Sequence, residues 1–301
     1  MRLTVHVIHW NSPESLLGTV DRLLASRGVS ADVTVLDNGS EREAVERVAR
    51  GLPAGVRLVR LGRNLGYTGA ANLALRETDP AAWCAIAAHD VVAEPGCLER
   101  LVDTAARAPE YAALGPSWWT EGFGACLRGP GRWALTRGEW FGPPPGETPP
   151  VADADWISGG LLLIRTAAAR AIGGFSQKLF AYCEDVDFGL RLRRAGWRVG
   201  VVAGARAWES GHTISNTGYA YLIMRNSMRL TLKFGGPGAL VARALAGYSL
   251  AAKALAGSIA PWRAEGLRLR SRGQAATIFW AVTDALTGGV RRNLLRTNHE
   301  L

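Results

Sequence analysis

The sequence predicts an α/β protein in which a mostly parallel central sheet is followed by a helical extension. Strand-like and helix-like segments alternate four times between residues 3 and 107, which is typical of a parallel sheet with helices on both faces. Charge is unevenly distributed, because residues 1–221 hold 23 Lys/Arg and 23 Asp/Glu whereas residues 222–301 hold 12 and 3. We therefore predict an α/β domain over residues 1–221 and a basic helical extension over residues 222–301.

Each predicted element has a local signal. Residues 3–8 alternate apolar and polar side chains as a strand does, and Ser12 with Pro13 marks the N-cap and first residue of the first helix. Ser40 and Glu43 have the spacing of a capping box at the start of the second helix. Further strands are predicted at residues 33–36, 56–61, 84–88, 111–115 and 197–202, and further helices at residues 68–76, 95–107 and 166–172.

Composition and cysteine usage describe an ordinary globular protein. Of the 301 residues, 48% are apolar and 20% are charged, which suffices for a buried core. The four cysteines lack metal-site spacing and a chain of this length needs no disulfides, so a cytoplasmic location is expected. No signal-peptide pattern opens the chain, and no run of about 18 uncharged apolar residues predicts a membrane-spanning helix.

Four polar residues follow the ends of the first four predicted strands: Asn11, Asp37, Asn64 and Asp90. Because the carboxyl ends of parallel strands share the sheet edge where ligands bind, we expect these side chains to line a site. Turn chemistry alone explains Asp37 in its Asp-Asn-Gly context, but it explains all four positions less well.

Residues 116–155 form a long segment without regular periodicity that is rich in aromatic side chains. A loop of this length is usually functional or flexible, and its aromatic content favours an ordered loop. Trp118, Trp119 and Trp156, at its edges, are candidates for stacking on a ligand such as a sugar. A hydrophobic cluster that covers the sheet explains the aromatic residues equally well.

Three carboxylates, on Glu184, Asp185 and Asp187, stand directly before a helical pattern that ends at Gly196. Acids in the first turn suit the positive end of the helix dipole. Taken alone, the cluster therefore indicates a helix cap.

Several short motifs occur in an order that a known family shares. They are Trp10–Glu14, Val35–Ser40, Arg63–Asn72, His89–Gly96, Ser158–Gly160, Gly173–Asp187 and the pair Arg225-Asn226. On these motifs the sequence resembles the inverting family 2 glycosyltransferases of the GT-A fold, and among them the rhamnosyltransferase-like branch, over residues 3–230. The resemblance implies a single Rossmann-like GT-A domain that moves a sugar from a nucleotide-diphosphate donor to a hydroxyl acceptor.

The resemblance also implies a role for each candidate residue. Contacts with the nucleotide sugar are assigned to Asn11, Asp37, Asn64, Gly66, Gly69, Asn72 and His89. Asp90 and His212 are assigned to a metal ion, Mg2+ or Mn2+, since oxygen ligands such as the Asp90 carboxylate suit both cations. Here the sequence departs from the family, because Ala88 stands where a first metal-binding acid is usual.

Asp185 is implied to be the general base that takes the proton from the acceptor hydroxyl during direct displacement. Glu184 is expected to stay ionised beside it, orienting the acceptor or tuning Asp185 by like-charge repulsion. Asp187 is expected to cap the helix.

Donor and acceptor are implied by class. A UDP- or dTDP-sugar is expected, with dTDP-rhamnose suggested by the branch. The acceptor is a glycan, a lipid-linked sugar or a small molecule that contacts Trp118, Trp119 and Trp156. The basic extension is expected to pack on its own domain, to pair with a second copy, or to lie on the anionic inner face of a membrane. Nucleic acid is not an expected partner, because long Ala/Leu stretches separate the arginines.

Two other functions stay open. A nucleotidyltransferase on a related fold would need a Gly-rich basic loop after the first strand, where residues 11–14 read Asn-Ser-Pro-Glu. A non-catalytic nucleotide-sugar binding protein is supported only by Ala88. A dinucleotide-dependent dehydrogenase is excluded, since no Gly-x-Gly-x-x-Gly follows the first strand.

Overall fold

The structure is a computed structural model that describes residues 1–119, 121, 126–128, 132–133, 140–141, 150–211, 216–255, 263–264, 267–268 and 272–289. Contacts divide the chain into two compact units. The first comprises residues 1–132, 141–180 and 184–212, and the second comprises residues 133–140, 181–183 and 213–301.

The first unit opens with the predicted alternation of strands and helices. Its elements are β1 (Arg2–His9), α1 (Pro13–Leu24), β2 (Ser30–Asp37), α2 (Arg42–Gly51), β3 (Arg57–Arg60), α3 (Gly66–Glu77), β4 (Trp83–Ala88), β5 (Val91–Ala93) and α4 (Cys97–Arg107). All the helices and strands predicted here are present, and the short strand β5 is an addition.

The chain continues with elements that complete the sheet. They are β6 (Tyr111–Trp119), β7 (Cys126–Arg128), β8 (Arg132–Trp133), β9 (Trp140–Phe141), β10 (Val151–Asp153), β11 (Leu161–Arg165), α5 (Thr166–Ala171), α6 (Glu184–Arg194) and β12 (Arg198–Glu209). The two-residue strands β8 and β9 pair only with each other among the described residues.

The central sheet has the strand order β10-β12-β6-β11-β4-β1-β2-β3. Its parallel half consists of β4, β1, β2 and β3, in which Val5 of β1 is in register with Val33 of β2 and Ala85 of β4. This confirms the predicted parallel arrangement. β11 runs antiparallel between β4 and β6, and β5 and β7 pair antiparallel with β12 and β6.

Alternate side chains of the central strands face two layers of helices, because successive residues of a strand point to opposite faces. Val7 of β1 lies in a core cluster with Leu16 of α1 and Leu101 of α4. Its neighbour Ile8 lies in a second cluster, which includes Phe188 of α6. The sheet is therefore buried on both faces, as the alternation of strands and helices along the chain predicts.

The predicted start of α1 is confirmed, with Ser12 as N-cap and Pro13 as the first helical residue. The predicted capping box of α2 is wrong, because the N-cap is Glu41 and no side chain caps the helix. Ser40 is drawn instead to the end of β1, where its Oγ accepts a 2.9 Å hydrogen bond from the backbone of Asn11.

The second unit is mainly helical, as predicted for the extension. It contains α7 (Asn216–Leu230), a π-helical turn (Thr231–Gly235), α8 (Gly236–Leu255), the short strands β13 (Arg263–Ala264) and β14 (Leu267–Arg268), and α9 (Arg272–Thr287). A buried 2.7 Å hydrogen bond from Tyr221 to Asp284 joins α7 to α9. In the described part of the chain, no helix is both long and apolar enough to span a membrane.

Candidate active site

The carboxyl ends of β1 and β2 are joined by a buried polar network. Nδ1 of His9 lies 3.2 Å from Oδ1 of Asp37, and the backbone N–H of Ser12 donates to Nε2 of His9 at 3.1 Å. Because Nε2 accepts a bond, the His9 proton belongs on Nδ1, where it faces Asp37. Burial alone would raise the pKa of Asp37, but hydrogen bonds from His9 and Ser40 outweigh it and hold this pKa below its ordinary value.

Asn11 and Asn64 shape the turns at this edge. Asn11 has a left-handed φ of 50°, and its Oδ1 accepts a 2.7 Å bond from the backbone of Glu41. Oδ1 of Asn64 accepts a 2.8 Å bond from the backbone of Gly66 at the start of α3. The predicted edge residues thus lie at the strand ends, where they stabilise the turns.

Asn38 belongs to the same edge and was not predicted from the sequence. Its buried side chain accepts a 2.9 Å bond from the backbone of Leu65 and donates to Oδ1 of Asn64 at 3.1 Å. These bonds tie the end of β2 to the start of α3. The Asp-Asn-Gly sequence carries a signal for this position, but taken alone it predicts only a turn.

Gly66, Gly69 and Asn72 make close contacts within the protein. A Cβ on Gly66 would lie 2.4 Å from the carbonyl oxygen of Phe180, and one on Gly69 would lie 2.5 Å from Cβ of Leu65. The amide of Asn72 donates to the carbonyl of Phe175 at 2.8 Å and accepts from its N–H at 2.7 Å. All three residues therefore have packing roles, and their nucleotide contacts stay predictions.

The turn between β4 and β5 is fixed from α1. Oγ1 of Thr19 donates to the carbonyl oxygens of His89 and Val91 at 2.7 and 2.9 Å. Nδ1 of His89 lies 3.3 Å from the carbonyl oxygen of Ile8. Burial, with a smaller contribution from His9, lowers the pKa of His89 to about 3, so its imidazole is neutral at physiological pH.

Asp90, in the same turn, is close to Glu209. The pairing of β5 with β12 places Val91 opposite Glu209, and the backbone of Ser210 donates to the Asp90 carbonyl at 2.8 Å. Burial and the Glu209 carboxylate raise the pKa of Asp90 to about 7. These two acids supply the hard oxygen ligands that Mg2+ and Mn2+ prefer. No cluster of three or more candidate metal ligands occurs among the described residues, and the predicted ligand His212 lies outside them.

The carboxylate of Asp185 is oriented by two backbone donors. The N–H of Gly159 donates to Oδ2 at 3.1 Å, and the N–H of Val186 donates to Oδ1 at 2.8 Å. One donor belongs to the turn before β11 and the other to α6 itself. The side chain is therefore held from two separate parts of the first unit.

Glu184 occupies a different environment from its neighbour. It is 5% exposed, and its Oε2 has no hydrogen-bond partner among the described residues. Burial, followed by the Asp185 carboxylate, raises the pKa of Glu184 well above its ordinary value. This environment favours the neutral acid, contrary to the expectation that Glu184 stays ionised. Tyr67, which was not predicted from the sequence, closes this cluster by donating to the Gly159 carbonyl at 2.6 Å.

Gly159 and Gly160 connect the candidate base with Glu209. While Gly159 holds Asp185, a Cβ on Gly160 would lie 3.0 Å from Oε1 of Glu209 and 2.4 Å from the ring of Trp118. A side chain at position 160 would thus collide with its neighbours. Asp185 consequently binds the backbone of Gly159, and the Glu209 carboxylate lies beside the next residue, Gly160.

Asp187 lies in the same acidic cluster but points into the protein. Its Oδ2 is 2.7 Å from Nε of Arg191, which also donates to the carbonyl oxygens of Ile172 and Gly174 at 2.8 and 2.6 Å. The pair anchors the double-glycine turn before α6. Asp187 therefore forms a buried ion pair with Arg191, and its predicted role as a helix cap stays a prediction.

The three candidate tryptophans differ in exposure. Trp118 and Trp156 are buried, Trp118 within the main core cluster and Trp156 against α6 at Gly189. Trp119 is partly exposed, and the Arg206 guanidinium lies 5.3 Å from its ring centroid. Trp118 and Trp156 are thus buried inside the first unit, whereas the ring of Trp119 stays partly exposed.

Comparisons with known proteins agree with this geometry. Residues 4–124 match the profile described as "Glycosyl transferase family 2", and residues 144–281 match that of "Glycosyl transferase family group 2". Over 212 residues the chain is 32% identical to the N-acetylglucosaminyl-diphospho-decaprenol L-rhamnosyltransferase of Mycobacterium tuberculosis, an alignment that covers 59% of this chain and 67% of that protein. The chain belongs to family 2 of the glycosyltransferases. It is therefore a glycosyltransferase, which sets aside the nucleotidyltransferase and non-catalytic alternatives.

Solved structures confirm the fold of this glycosyltransferase. A mannosyltransferase from Pyrobaculum calidifontis, in complex with GDP-Man and Mn2+, superposes with a TM-score of 0.60 at 17% identity, over 95% of this chain and 87% of that one. GalNAc-T7 with UDP, GalNAc and Mn2+ superposes with a TM-score of 0.52 at 14% identity, over 69% of this chain and 43% of that one. The chain thus spans less than half of the second enzyme, and both likenesses concern the GT-A fold alone.

Proposed function

We propose that this glycosyltransferase moves a sugar from a nucleotide-diphosphate donor to a hydroxyl acceptor with inversion, using Asp185 as general base. The observation that supports this most directly is the turn at Gly159 and Gly160: Asp185 accepts a bond from Gly159, and the Glu209 carboxylate lies beside Gly160. In a direct displacement the reacting sugar carbon lies between the base side and the leaving-group side, so the two sets of groups must be neighbours.

On the acceptor side, Asp185 takes the proton from the attacking hydroxyl. The carboxylate of Asp185 accepts bonds from the N–H groups of Gly159 and Val186. Those two bonds orient the carboxylate before the acceptor arrives. Burial and the neighbouring Asp185 carboxylate raise the pKa of Glu184, so we assign the role of base to Asp185 rather than to Glu184.

On the leaving-group side, Asp90 and Glu209 would hold a divalent cation, and the donor set fits this role. Glu209 raises the pKa of Asp90 because the two carboxylates repel each other. A bound cation would relieve this repulsion. When bound, Mg2+ or Mn2+ offsets the negative charge that develops on the diphosphate. His212 stays a further candidate ligand.

The nucleotide is proposed to bind at the carboxyl ends of β1 and β2 and at the N-terminus of α3. The low pKa of Asp37 keeps an ionised acceptor at this edge, which suits the donor groups of a base or ribose. Asn11, Asn64 and His89 stand at the neighbouring strand ends and complete the proposed edge, together with Gly66, Gly69 and Asn72.

The mycobacterial relative supports the choice of donor and acceptor. Its name specifies transfer of L-rhamnose to an N-acetylglucosaminyl-diphospho-lipid. For this chain we propose dTDP-rhamnose as donor and a lipid-linked sugar as acceptor, with UDP-sugars as the second donor class.

A membrane-bound acceptor would suit the surface of the second unit. Of the eight large apolar side chains exposed among the described residues, six lie there: Leu232, Val241, Leu245, Phe279, Trp280 and Leu286. The same region carries the basic excess of the chain. We propose that this unit contacts an anionic membrane surface, with a homodimer as the alternative.

Thermal-shift measurements with dTDP, UDP and GDP, each with and without Mn2+, test the donor site, because a ligand that binds only the folded state raises the melting temperature. We expect the largest shift with dTDP plus Mn2+. Transfer is then measured with dTDP-rhamnose and an N-acetylglucosaminyl-diphospho-polyprenol, and the anomeric configuration of the product reports inversion. The proposal fails if no nucleotide shifts the melting temperature.

A further inference from the structure

A strained turn leads directly into the proposed base. Phe180, Tyr182 and Cys183 have φ values of 69°, 64° and 61°. These values lie in the left-handed region, which residues other than glycine rarely adopt. Glu184 and Asp185 follow without an intervening residue. Such a backbone persists only where surrounding groups determine it, so the contacts of this turn decide where α6 begins.

Asn226 of α7 supplies two of these contacts. Its Nδ2 donates to the carbonyl oxygens of Ala181 and Tyr182, each at 2.8 Å, and its side chain is fully buried. All three residues belong to the second unit. One amide group therefore holds two successive carbonyls and fixes the peptide plane between them.

Arg225 sets the direction of that amide. Its Nη1 donates to Oδ1 of Asn226 at 2.6 Å, and its Nε donates to the carbonyl of Gly289 at 2.6 Å. Because a guanidinium only donates, Oδ1 of Asn226 must face Arg225 and Nδ2 must face the turn. The Arg-Asn pair thus presents a fixed donor to the strained backbone.

We propose that Asn226 is a positioning residue for the transfer reaction: by holding residues 181–182 it fixes the first turn of α6 and with it the carboxylate of Asp185. This inference rests on the proposed function. A displacement of about 1 Å in a reacting group can cost about 100-fold in rate. The proposed nucleotide edge is built from β1, β2 and α3, so loss of the Asn226 contact should lower kcat and spare nucleotide binding.

Three variants and one control test this. Asn226→Asp keeps the shape and the bond from Arg225 but replaces the donor with an oxygen that repels both carbonyls. Asn226→Leu removes the donor without adding charge, and Arg225→Lys is a milder change that leaves Asn226 in place. Thr231→Val is the matched control, because its buried hydroxyl donates to the carbonyl of Ser227 and not to the turn.

We expect kcat for transfer from dTDP-rhamnose to fall about 10- to 100-fold in both Asn226 variants and about 3- to 10-fold in Arg225→Lys. The donor KM and the dTDP-induced thermal shift should stay within about twofold of wild type. Hydrogen exchange at the amides of residues 183–186 should become at least about tenfold faster. Thr231→Val should match the wild type in kcat per folded molecule and in exchange at the turn.

Wild-type kcat in folded Asn226 variants would overturn the inference, whether or not the turn exchanges faster. If neither Asn226 variant folds, Arg225→Lys decides, and wild-type kcat in that variant would reject the inference. A wild-type protein that transfers no sugar would overturn the proposed function as well. A competent wild type with unaffected variants overturns the positioning role alone.

Discussion

The backbone N–H of Gly159 donates a 3.1 Å hydrogen bond to Oδ2 of Asp185, while a Cβ on the next residue, Gly160, would lie 3.0 Å from Oε1 of Glu209. Two adjacent glycines thus lie next to two acids, and we assign these acids to opposite sides of the transfer reaction. The turn requires small residues, since a side chain at position 160 would collide with Trp118 and Glu209. Substitutions at Asp185 and Glu209 should therefore have different effects.

Asp185→Asn should lower kcat by about 100- to 10,000-fold, the usual contribution of a general base. The amide keeps the shape of the carboxylate, so the dTDP-induced thermal shift should be unchanged. Steady-state kinetics with dTDP-rhamnose measures kcat, and calorimetry with dTDP measures binding. Turnover at the wild-type rate in Asp185→Asn would exclude this residue as the base.

Glu184→Gln is the matched control for that substitution. The buried environment of Glu184 raises its pKa and favours the neutral acid, which has the same shape as an amide. We expect a loss in kcat of less than about fivefold, far below the loss in Asp185→Asn. Equal losses in the two variants would show that the adjacent acids act as one unit.

Much of the fold follows from local pattern, whereas the contacts that complete the site are long-range. The alternating strands and helices predict the parallel half of the sheet, and Asp37 and Asp90 lie at strand ends as expected. The direction of β11 was not predictable, because an apolar run has the same pattern in either orientation. Glu209 was missed for a related reason, since only the pairing of β12 with β5 brings it to Asp90.

Glu209→Gln should weaken the binding of Mn2+ that supports nucleotide binding. If Asp90 and Glu209 share a divalent cation, loss of one charged ligand raises the Mn2+ concentration needed for half-maximal thermal shift by about tenfold or more. A Mn2+ titration in the presence of dTDP measures this. Glu94→Gln is the control, because Glu94 is engaged by Arg206 in the same region and should leave the Mn2+ titration unchanged. An identical titration in wild type and Glu209→Gln would contradict the proposed cation site.

Asp187→Asn should destabilise the fold by about 3 kcal/mol, because it breaks a buried ion pair and leaves Arg191 without its carboxylate. Asp103→Asn is the matched control. Asp103 forms the same i,i+4 pair with Arg107 on α4, but both side chains are exposed and the atoms are 3.9 Å apart. That change should cost less than about 0.5 kcal/mol. Urea unfolding of both variants gives the comparison, and equal losses would rule out a special role for Asp187.

Asp37 should make stability depend on pH. Its folded pKa lies below its ordinary value, so the unfolded state binds more protons between the two pKa values and stability rises with pH there. The contribution is fully present above the unfolded pKa, about 3.9, and is lost as pH falls towards the folded pKa. The difference in the free energy of unfolding between wild type and Asp37→Asn should therefore become smaller as the pH falls from 6 to 3. A difference that stays constant over this range would contradict the His9–Asp37 assignment.

Leu245→Glu should abolish membrane association of the second unit. Leu245 is 65% exposed on α8 and lies one turn from the exposed Val241. On the following turn, the ring centroid of Tyr248 lies 5.5 Å from that of Phe279. Exposed apolar side chains in a basic region fit an anionic bilayer, so wild-type protein should sediment with vesicles containing anionic lipid and less with neutral ones. Leu24→Glu, an equally polar change at an exposed leucine of α1, should sediment like the wild type. If wild type ignores vesicles but light scattering shows a dimer that Leu245→Glu dissociates, this surface joins two copies of the chain.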